Sequence, residues 1–257
     1  MLKYVEISND IRNKIISEEY LPNERLPFEK EICEEYNSSR MTVKKALDIL
    51  VSEGLLVKRR GSGTFVKDIN IKERDNLIAS TEFRGLSSFY INNKVESIVL
   101  EYKVINPNSD IARKLLVSED EFVYKIIRVR VLDEKPFVLE EIYMPIRIIP
   151  GLKMKHLNGS IYEYIERILN LKIQSAHRTI TVKKSTEYEQ KHLKVKENDP
   201  LGIIEQVAYL DNGQAFEYSI VTHRSEEFKL NTVVLRWFEF LWWRIRLKDK
   251  IIKRRRV

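Results

Sequence analysis

The sequence of 257 residues predicts an α+β protein with a small N-terminal domain and a larger domain built on a mainly antiparallel sheet. The first observation is length, because single domains commonly hold about 100–200 residues. The second is a pattern of helix, tight turn, helix and hairpin between Arg25 and Val66. The third is a later series of β-prone runs joined by short turns, which favours antiparallel pairing.

The N-terminal domain is predicted to begin with a helix over residues 4–18, where apolar residues recur at helical spacing: Tyr4, Ile7, Ile11 and Ile15. A short helix is expected from Glu29 to Tyr36. Asn37 and Ser38 should end that helix, because their side chains offer the backbone competing hydrogen bonds. A tight turn is therefore expected before the next helix.

Ser39 is the predicted N-cap of the next helix, and Gly54 is placed just beyond its C-terminal end. Its apolar positions follow helical spacing: Val43, Ala46, Leu47, Leu50 and Val51. Its first turns carry Arg40, Thr42, Lys44 and Lys45. Cations suit a helix N-terminus poorly unless an outside anion is bound, so this pattern points to a phosphate or a guanine edge.

Two β-prone runs, Leu55–Val57 and Thr64–Val66, flank a Gly-Ser-Gly turn that follows the cations Lys58, Arg59 and Arg60. Helix, turn, helix and cationic hairpin together predict a winged helix-turn-helix, which brings one helix end to the major groove of DNA. The alternative is a small helical module with a solvated basic face and an ordinary hairpin.

The larger domain is predicted to contain six strands: Val95–Ile105, Phe122–Leu132, Phe137–Met144, Ile173–Val182, Leu201–Tyr209 and Ala215–Thr222. Helices are expected over Asp110–Leu116, Ser160–Leu169 and Ser185–Leu193, with Asp110 and Ser160 as N-caps. Short turns such as Asp211-Asn212-Gly213 connect neighbouring strands. The domain is therefore α+β.

One predicted hairpin carries two arginines on one face, because Arg128 and Arg130 are two residues apart on a strand. With a turn centred on Lys135, Arg130 should lie opposite Glu140. The other face is expected to be the core side: Ile127, Val129, Val131, Phe137, Leu139 and Tyr143. Two interpretations are open. The two guanidinium groups could form a fork that binds phosphate or carboxylate, or they could lie on a solvated strand face with a weak cross-strand ion pair.

The formal net charge of +7 says little about DNA binding, because residues 236–257 hold nine Lys and Arg against two acidic residues. That segment also holds all three tryptophans. It could dock on a neighbour, touch membrane or nucleic acid, or be read-through without a selected role. The single Cys33 indicates no intramolecular disulfide, and neither a signal peptide nor an apolar span is evident, so a cytoplasmic protein without membrane association is expected.

The first domain resembles the DNA-binding domain of GntR-type bacterial transcription regulators. The matching motifs are Leu26-Pro27, Ser39-Arg40-Met41-Thr42-Val43-Lys44, Ala46-Leu47, Glu53-Gly54-Leu55-Leu56 and Gly61-Ser62-Gly63-Thr64-Phe65-Val66. The resemblance implies operator contacts from Lys30, Ser39, Arg40, Thr42, Lys44, Arg60 and Gly61. Phe28 departs from the family, which usually has a Ser N-cap there, and so does Asn23, where a Gly is usual.

The second domain resembles the UTRA ligand-sensing domain of the HutC branch, which has a chorismate-lyase-like fold. The resemblance rests on the arginine hairpin, on Gly85-Leu86-Ser87-Ser88-Phe89 and on Ser160-Ile161-Tyr162. It implies an anion site formed by Ser87, Ser88, Arg128, Arg130 and Ser160, with Glu140, Tyr162 and Glu217 meeting the polar remainder of an effector. His223 stands where the family usually has Tyr.

These features predict a ligand-responsive regulator, a homodimer that binds a double-stranded DNA operator and is released by a small anionic metabolite such as a sugar phosphate. Ligand-dependent activation is an alternative. An enzyme of the same fold is less expected, because the four histidines form no catalytic or metal-ligating pattern, and no cofactor is implied. A structural DNA binder is also disfavoured. The expected domains are residues 1–68, a linker 69–80, the effector domain 81–236 and an extension 237–257.

Overall fold

The computed structural model describes residues 2–68, 94–230 and 232–234. These fall mainly into two compact units, an N-terminal one and a larger one. The predicted sites at Ser87 and Ser88, the linker and the extension 237–257 lie outside the described residues. Each unit is described by itself.

The first unit contains helices α1 (Lys3–Ile16), α2 (Glu29–Glu35) and α3 (Arg40–Ser52), followed by strands β1 (Leu56–Arg59) and β2 (Gly63–Val66). The two strands pair antiparallel, with Arg59 opposite Gly63. Its core holds the predicted apolar stripes, including Ile7, Ile11 and Ile15 of α1 and Val43, Ala46, Leu47 and Leu50 of α3. The predicted helix-turn-helix and hairpin are therefore confirmed.

Both ends of α3 have the predicted caps. The Ser39 side chain accepts from the Thr42 N–H at 3.3 Å. Gly54 has a φ of +76°, the Leu55 N–H donates to the Leu50 carbonyl, and the Gly54 N–H donates to the Val51 carbonyl. This is the double hydrogen bond of a Schellman end, which needs a left-handed residue at the glycine position.

The start of α2 explains how Phe28 can replace a polar N-cap. Phe28 cannot accept a hydrogen bond through its side chain, but its backbone N–H donates to Glu31 Oε2 at 2.6 Å. This is one half of a capping box, in which the acidic residue three positions on satisfies the N-cap amide. The departure from the family pattern therefore leaves the helix intact.

The second unit contains β3 (Val95–Ile105), α4 (Ser109–Leu115), β4 (Val123–Leu132), β5 (Lys135–Pro145), α5 (Met154–Asn158), α6 (Ile161–Glu163) with a π-helical turn (Tyr164–Ile168), β6 (Ile173–Lys184), α7 (Glu187–Leu193), β7 (Pro200–Leu210) and β8 (Ala215–Arg224). The sheet order is β3-β4-β5-β8-β7-β6. All of its pairings are antiparallel. The α+β prediction is confirmed.

Two details of the helices differ from the prediction. The N-cap of α4 is Asn108, whose side chain accepts from the Ile111 N–H at 3.0 Å, and not Asp110. Helix α5 was not predicted, because Met154-Lys155-His156-Leu157-Asn158 is too short to show an apolar stripe. Ser160 does cap α6 as expected, accepting from the Glu163 N–H at 3.1 Å.

The hairpin of β4 and β5 has a different register from the predicted one. Its loop is the two residues Asp133 and Glu134, with φ of +46° and +67°. A bulge follows, because Val131 pairs with Pro136 while Arg130 pairs with Val138, which leaves Phe137 as the extra residue. Arg128, and not Arg130, therefore lies opposite Glu140.

The inner strands β4 and β5 are buried on both faces, whereas only one face was expected to be. Helices α4 and α7 cover the predicted core face, where Leu115 and Leu193 pack against residues such as Val129 and Tyr143. On the arginine face, Leu157, Ile161 and Ile165 pack against Ile126 and Ile142. The two arginines are thus part of an interior, not of a solvated strand surface.

Candidate functional site

The N-terminal end of α3 presents an exposed basic surface. The Arg40 side chain is 83% exposed, and its Nε lies 3.4 Å from Glu29 Oε2. Lys44 is exposed one turn further along. Exposed ion pairs of this kind are worth about 0–1 kcal/mol, so Arg40 can leave Glu29 for another anion at little cost.

Two other residues expected to contact DNA have local structural roles. Ser39 Oγ lies 2.9 Å from Thr42 Oγ1 as well as accepting from the Thr42 amide. Both side chains remain at the helix end, where backbone amides already favour an anion. Lys30 lies on α2, is 88% exposed, and has Nζ 3.9 Å from Glu34.

The β-hairpin carries the remaining predicted DNA contacts. Arg60 and Gly61 are exposed at its tip, and Gly61 has a φ of +76° with open space around it. Lys58 is held differently, since its Nζ donates to Asp48 of α3 at 2.6 Å. That ion pair neutralises the one acidic side chain on the exposed face of α3, Asp48.

The second candidate site lies on the arginine face of the large sheet. Arg128 Nε donates to Glu140 Oε2 at 2.5 Å, across the register pair of β4 and β5. Arg128 is 6% exposed and Arg130 is 2% exposed. Burial and the neighbouring Arg128 lower the pKa of Arg130 to about 10, so the Arg130 guanidinium group stays charged at neutral pH.

Both guanidinium groups reach the backbone at the C-terminal end of α5 and at Gly159, just beyond it. Arg130 Nη1 donates to the Gly159 carbonyl at 2.9 Å and to Ser97 Oγ at 2.6 Å. Arg128 Nη1 donates to the Leu157 carbonyl at 2.7 Å and contacts the Gly159 carbonyl at 3.4 Å. The two arginines therefore converge on one point next to Ser160.

Glu217, another predicted residue, is the centre of a second polar cluster. Its Oε1 accepts from Gln206 Nε2 at 2.9 Å, Ser219 Oγ at 2.8 Å and Tyr162 OH at 3.2 Å. Arg178 Nε donates to Gln206 Oε1 at 2.9 Å and so orients that amide. Burial raises the pKa of Glu217, and burial also raises the pKa of Tyr162.

The strand register puts these polar residues on one face of the sheet. Arg130 pairs with Ser97, Arg128 with Glu140, and Gln206 with both Ser219 and Arg178. We call this set the polar stripe: Ser97, Arg128, Arg130, Glu140, Glu217, Ser219, Gln206 and Arg178. Sequence reasoning missed Ser97, Ser219, Gln206 and Arg178. Ser219 could have been found by alternation from Glu217, but the others depend on the register between strands.

His223, which replaces the usual Tyr, lies beside this stripe. Its ring meets Phe137 edge-on at a centroid distance of 6.1 Å and lies 5.3 Å from the ring of Phe228. Burial lowers the pKa of His223 to about 4. The imidazole is therefore neutral at physiological pH, as the phenol of a Tyr would be.

Within the described ranges, no three His, Cys, Asp or Glu side chains come close enough together to hold a metal ion. None of the helices described there is long and apolar enough to cross a membrane.

Comparison with known families agrees with both parts of the chain. Residues 3–66 match the bacterial regulatory proteins of the gntR family, and residues 92–229 match the UTRA domain. These two matched ranges contain the exposed end of α3 and the polar stripe, respectively.

Several curated proteins are similar over most of the chain. The HTH-type transcriptional regulator GmuR of Bacillus subtilis (strain 168) is 39% identical over 236 residues, which cover 92% of this chain and 100% of GmuR. The HTH-type transcriptional repressor NagR of the same strain is 30% identical, covering 88% of this chain and 91% of NagR. The mannosyl-D-glycerate transport/metabolism system repressor MngR of Escherichia coli (strain K12) is 30% identical, covering 91% and 96%.

Solved structures show the same likeness. The possible transcriptional regulator YydK of Bacillus subtilis superposes with a TM-score of 0.73 at 27% identity, covering 91% of this chain and 100% of that one. The effector-binding domain of the B. subtilis trehalose repressor TreR gives a TM-score of 0.50 at 25% identity, covering 55% of this chain and 99% of that one.

Proposed function

Since the chain belongs to the gntR family of bacterial regulatory proteins and carries a UTRA domain, we propose that it is a repressor released from its operator by a small anionic metabolite such as a sugar phosphate. Membership of this family makes the chain a DNA-binding transcription regulator and not an enzyme.

The observation that carries this proposal is the convergence of Arg128 and Arg130 on the Gly159 carbonyl. Two buried guanidinium groups lie side by side at this point, and that of Arg128 is paired with the buried carboxylate of Glu140. Guanidinium groups bind phosphate and carboxylate oxygens through charge-assisted hydrogen bonds, so two of them directed at one point suit an anionic group. We infer that an anionic oxygen takes the place of the Gly159 carbonyl.

The remainder of the effector would meet hydroxyl-binding groups. Glu140, Tyr162 and Glu217 lie on or over the polar stripe, and carboxylate and phenol oxygens suit sugar hydroxyls. Ser160, next to the converging arginines, and Ser87 and Ser88 complete the proposed anion site. The names of similar proteins support a sugar-related effector, since MngR is a repressor of a mannosyl-D-glycerate system and TreR is a trehalose repressor.

On the DNA side, we assign operator contacts to the two exposed basic surfaces of the first unit: Lys30, Ser39, Arg40, Thr42, Lys44, Arg60 and Gly61. A homodimer would place two copies of α3 on half-sites about one helical turn apart. The proposed organisation is residues 1–68 for DNA, 69–80 as linker, 81–236 for the effector and 237–257 as an extension, in a cytoplasmic protein.

Release requires that the effector bind more tightly to the DNA-free arrangement of the dimer than to the operator-bound one. The shift in operator affinity cannot exceed that difference in effector affinity. If the preference is reversed, the same effector activates DNA binding, which is the second candidate function.

Fluorescence anisotropy on duplexes from around the protein's own gene tests the proposal. Hexose and disaccharide 6-phosphates would be titrated in parallel with the same sugars lacking phosphate, at physiological salt. Release by a phosphorylated sugar and not by its unphosphorylated counterpart is the expected result. Tighter binding would favour activation, and binding insensitive to DNA sequence and to every compound would refute the regulator proposed here.

A further inference from the structure

The exposed face of α3 carries one large apolar side chain, Met41, which is 75% exposed. Met41 is the second residue of the helix, whereas the apolar positions that hold α3 in the core lie on another face. The Met41 side chain therefore contributes little to the stability of the fold. Scattered exposed apolar residues are common, so exposure alone does not indicate a function for Met41. Its position relative to its neighbours on the helix is the more informative observation.

Met41 lies between the cations proposed to meet DNA. Arg40 precedes it and is 83% exposed, and Lys44 follows one turn later. Lys45 is drawn towards α1, with Nζ 3.8 Å from the ring centre of Tyr4. Asp48 is paired with Lys58 at 2.6 Å. Arg40, Met41 and Lys44 are therefore the long side chains of α3 that remain exposed at this end of the helix.

The direction of the side chain also favours a contact with DNA. In an α-helix each Cα–Cβ bond tilts towards the N-terminus, and in a helix-turn-helix the N-terminal residues of the second helix face base edges. A thioether has no strong hydrogen-bonding group, so Met41 is unsuited to a phosphate. The apolar group that the major groove offers is the 5-methyl of thymine.

Resting on the proposed operator contacts of α3, we propose that Met41 is a specificity-determining residue that packs against the 5-methyl group of a thymine in each half-site, beside the base pair contacted by Arg40. The long, flexible and polarisable side chain of Met suits such a contact, because it can follow the groove surface without a fixed rotamer.

The test removes only the methyl group. Wild-type protein would first select its preferred duplexes from a random pool. Each thymine of the selected half-site would then be replaced in turn by deoxyuridine, and affinity would be measured by anisotropy. At one position we expect about fourfold weaker binding, the value of burying a single methyl group.

Variants separate Met41 from other causes. Met41→Ala should bind the thymine and uracil duplexes equally, whereas Met41→Leu should keep the preference for thymine. Met154→Ala, at a half-exposed methionine of the other unit, is the matched control and should behave as wild type. Ala is the strongest helix former, so Met41→Ala is expected to fold.

The outcomes distinguish this inference from the proposed function. A selected sequence whose thymines can all be replaced without loss, or a loss that persists unchanged in Met41→Ala, overturns the role of Met41 and leaves the regulator intact. Failure to select any sequence overturns the proposed specific operator binding, and the role of Met41 with it.

Discussion

Arg128 and Arg130 donate to the same backbone oxygen, the carbonyl of Gly159, at 3.4 and 2.9 Å. The side chains come from one strand, and the carbonyl comes from the segment between two short helices that covers that strand. The two positively charged side chains therefore hold this segment against the sheet. An anion that competes for the guanidinium groups would change the position of residues 157–160.

The first prediction concerns this fork. Arg128→Ala should leave operator affinity unchanged but remove the response to a phosphorylated effector, because the fork would lose one of its two guanidinium groups. Arg130→Lys keeps the charge and should weaken the response by about 10- to 100-fold, since one charge-assisted hydrogen bond is worth about 1.5–3 kcal/mol. Both are measured as release of labelled operator during effector titration.

Arg167→Ala is the matched control for these variants, because Arg167 belongs to the same unit but is 77% exposed and pairs with Glu163. It should respond to effector as the wild type does. An unchanged effector response in Arg128→Ala would remove that residue from the proposed anion site.

The second prediction concerns Arg40. Arg40→Ala should weaken binding to the operator by about 1–3 kcal/mol if Arg40 contacts a guanine, with a smaller loss on random DNA. Losing the contact with Glu29 should not affect folding, since the pair is exposed. Affinities for operator and random duplexes are measured at one salt concentration, because phosphate contacts depend strongly on salt. An equal loss on both duplexes would make Arg40 a phosphate contact.

The strands of the larger unit could be predicted closely because their apolar alternation is a local property. The run Val95–Ile105 was predicted with the bounds that the structure has. The pairing of Arg128 with Glu140 could not be predicted, because a single extra residue, Phe137, shifts the register and no sequence pattern marks the bulge. Ser97, Gln206 and Arg178 reach the stripe through the same kind of non-local pairing.

Helix ends show the same limit on a smaller scale. Asn108 and Asp110 are both good N-cap residues, so the sequence alone does not distinguish them. The structure selects Asn108, since its side chain accepts from the Ile111 amide, while Asp110 pairs with Arg113 and Lys114 in the first turn.

The third prediction tests that assignment. Asn108→Ala should lower the free energy of unfolding by about 1 kcal/mol, the usual effect of losing an N-cap side chain. Asp110→Ala is the matched comparison and should have a smaller effect, because Asp110 contributes only exposed ion pairs. Urea unfolding followed by circular dichroism measures both. A larger loss for Asp110→Ala would show that the wrong residue has been assigned as the cap.

The last prediction follows from the buried imidazole of His223, whose pKa falls from 6.5 to about 4 because burial disfavours the charged form, while Glu140 opposes and Arg178 adds to that effect. Between these two values the unfolded chain binds more protons than the folded one, so the free energy of unfolding rises with pH across this window. His223 should therefore lower the free energy of unfolding on acidification from about pH 6.5 to 4, by on the order of 2 kcal/mol.

His223→Phe, which suits the aromatic neighbours Phe137 and Phe228, should flatten this part of the curve of unfolding free energy against pH. His177→Gln, at an exposed histidine, should leave the curve unchanged. If urea unfolding at several pH values gives parallel curves for the wild type and His223→Phe, the imidazole is not held neutral by the fold.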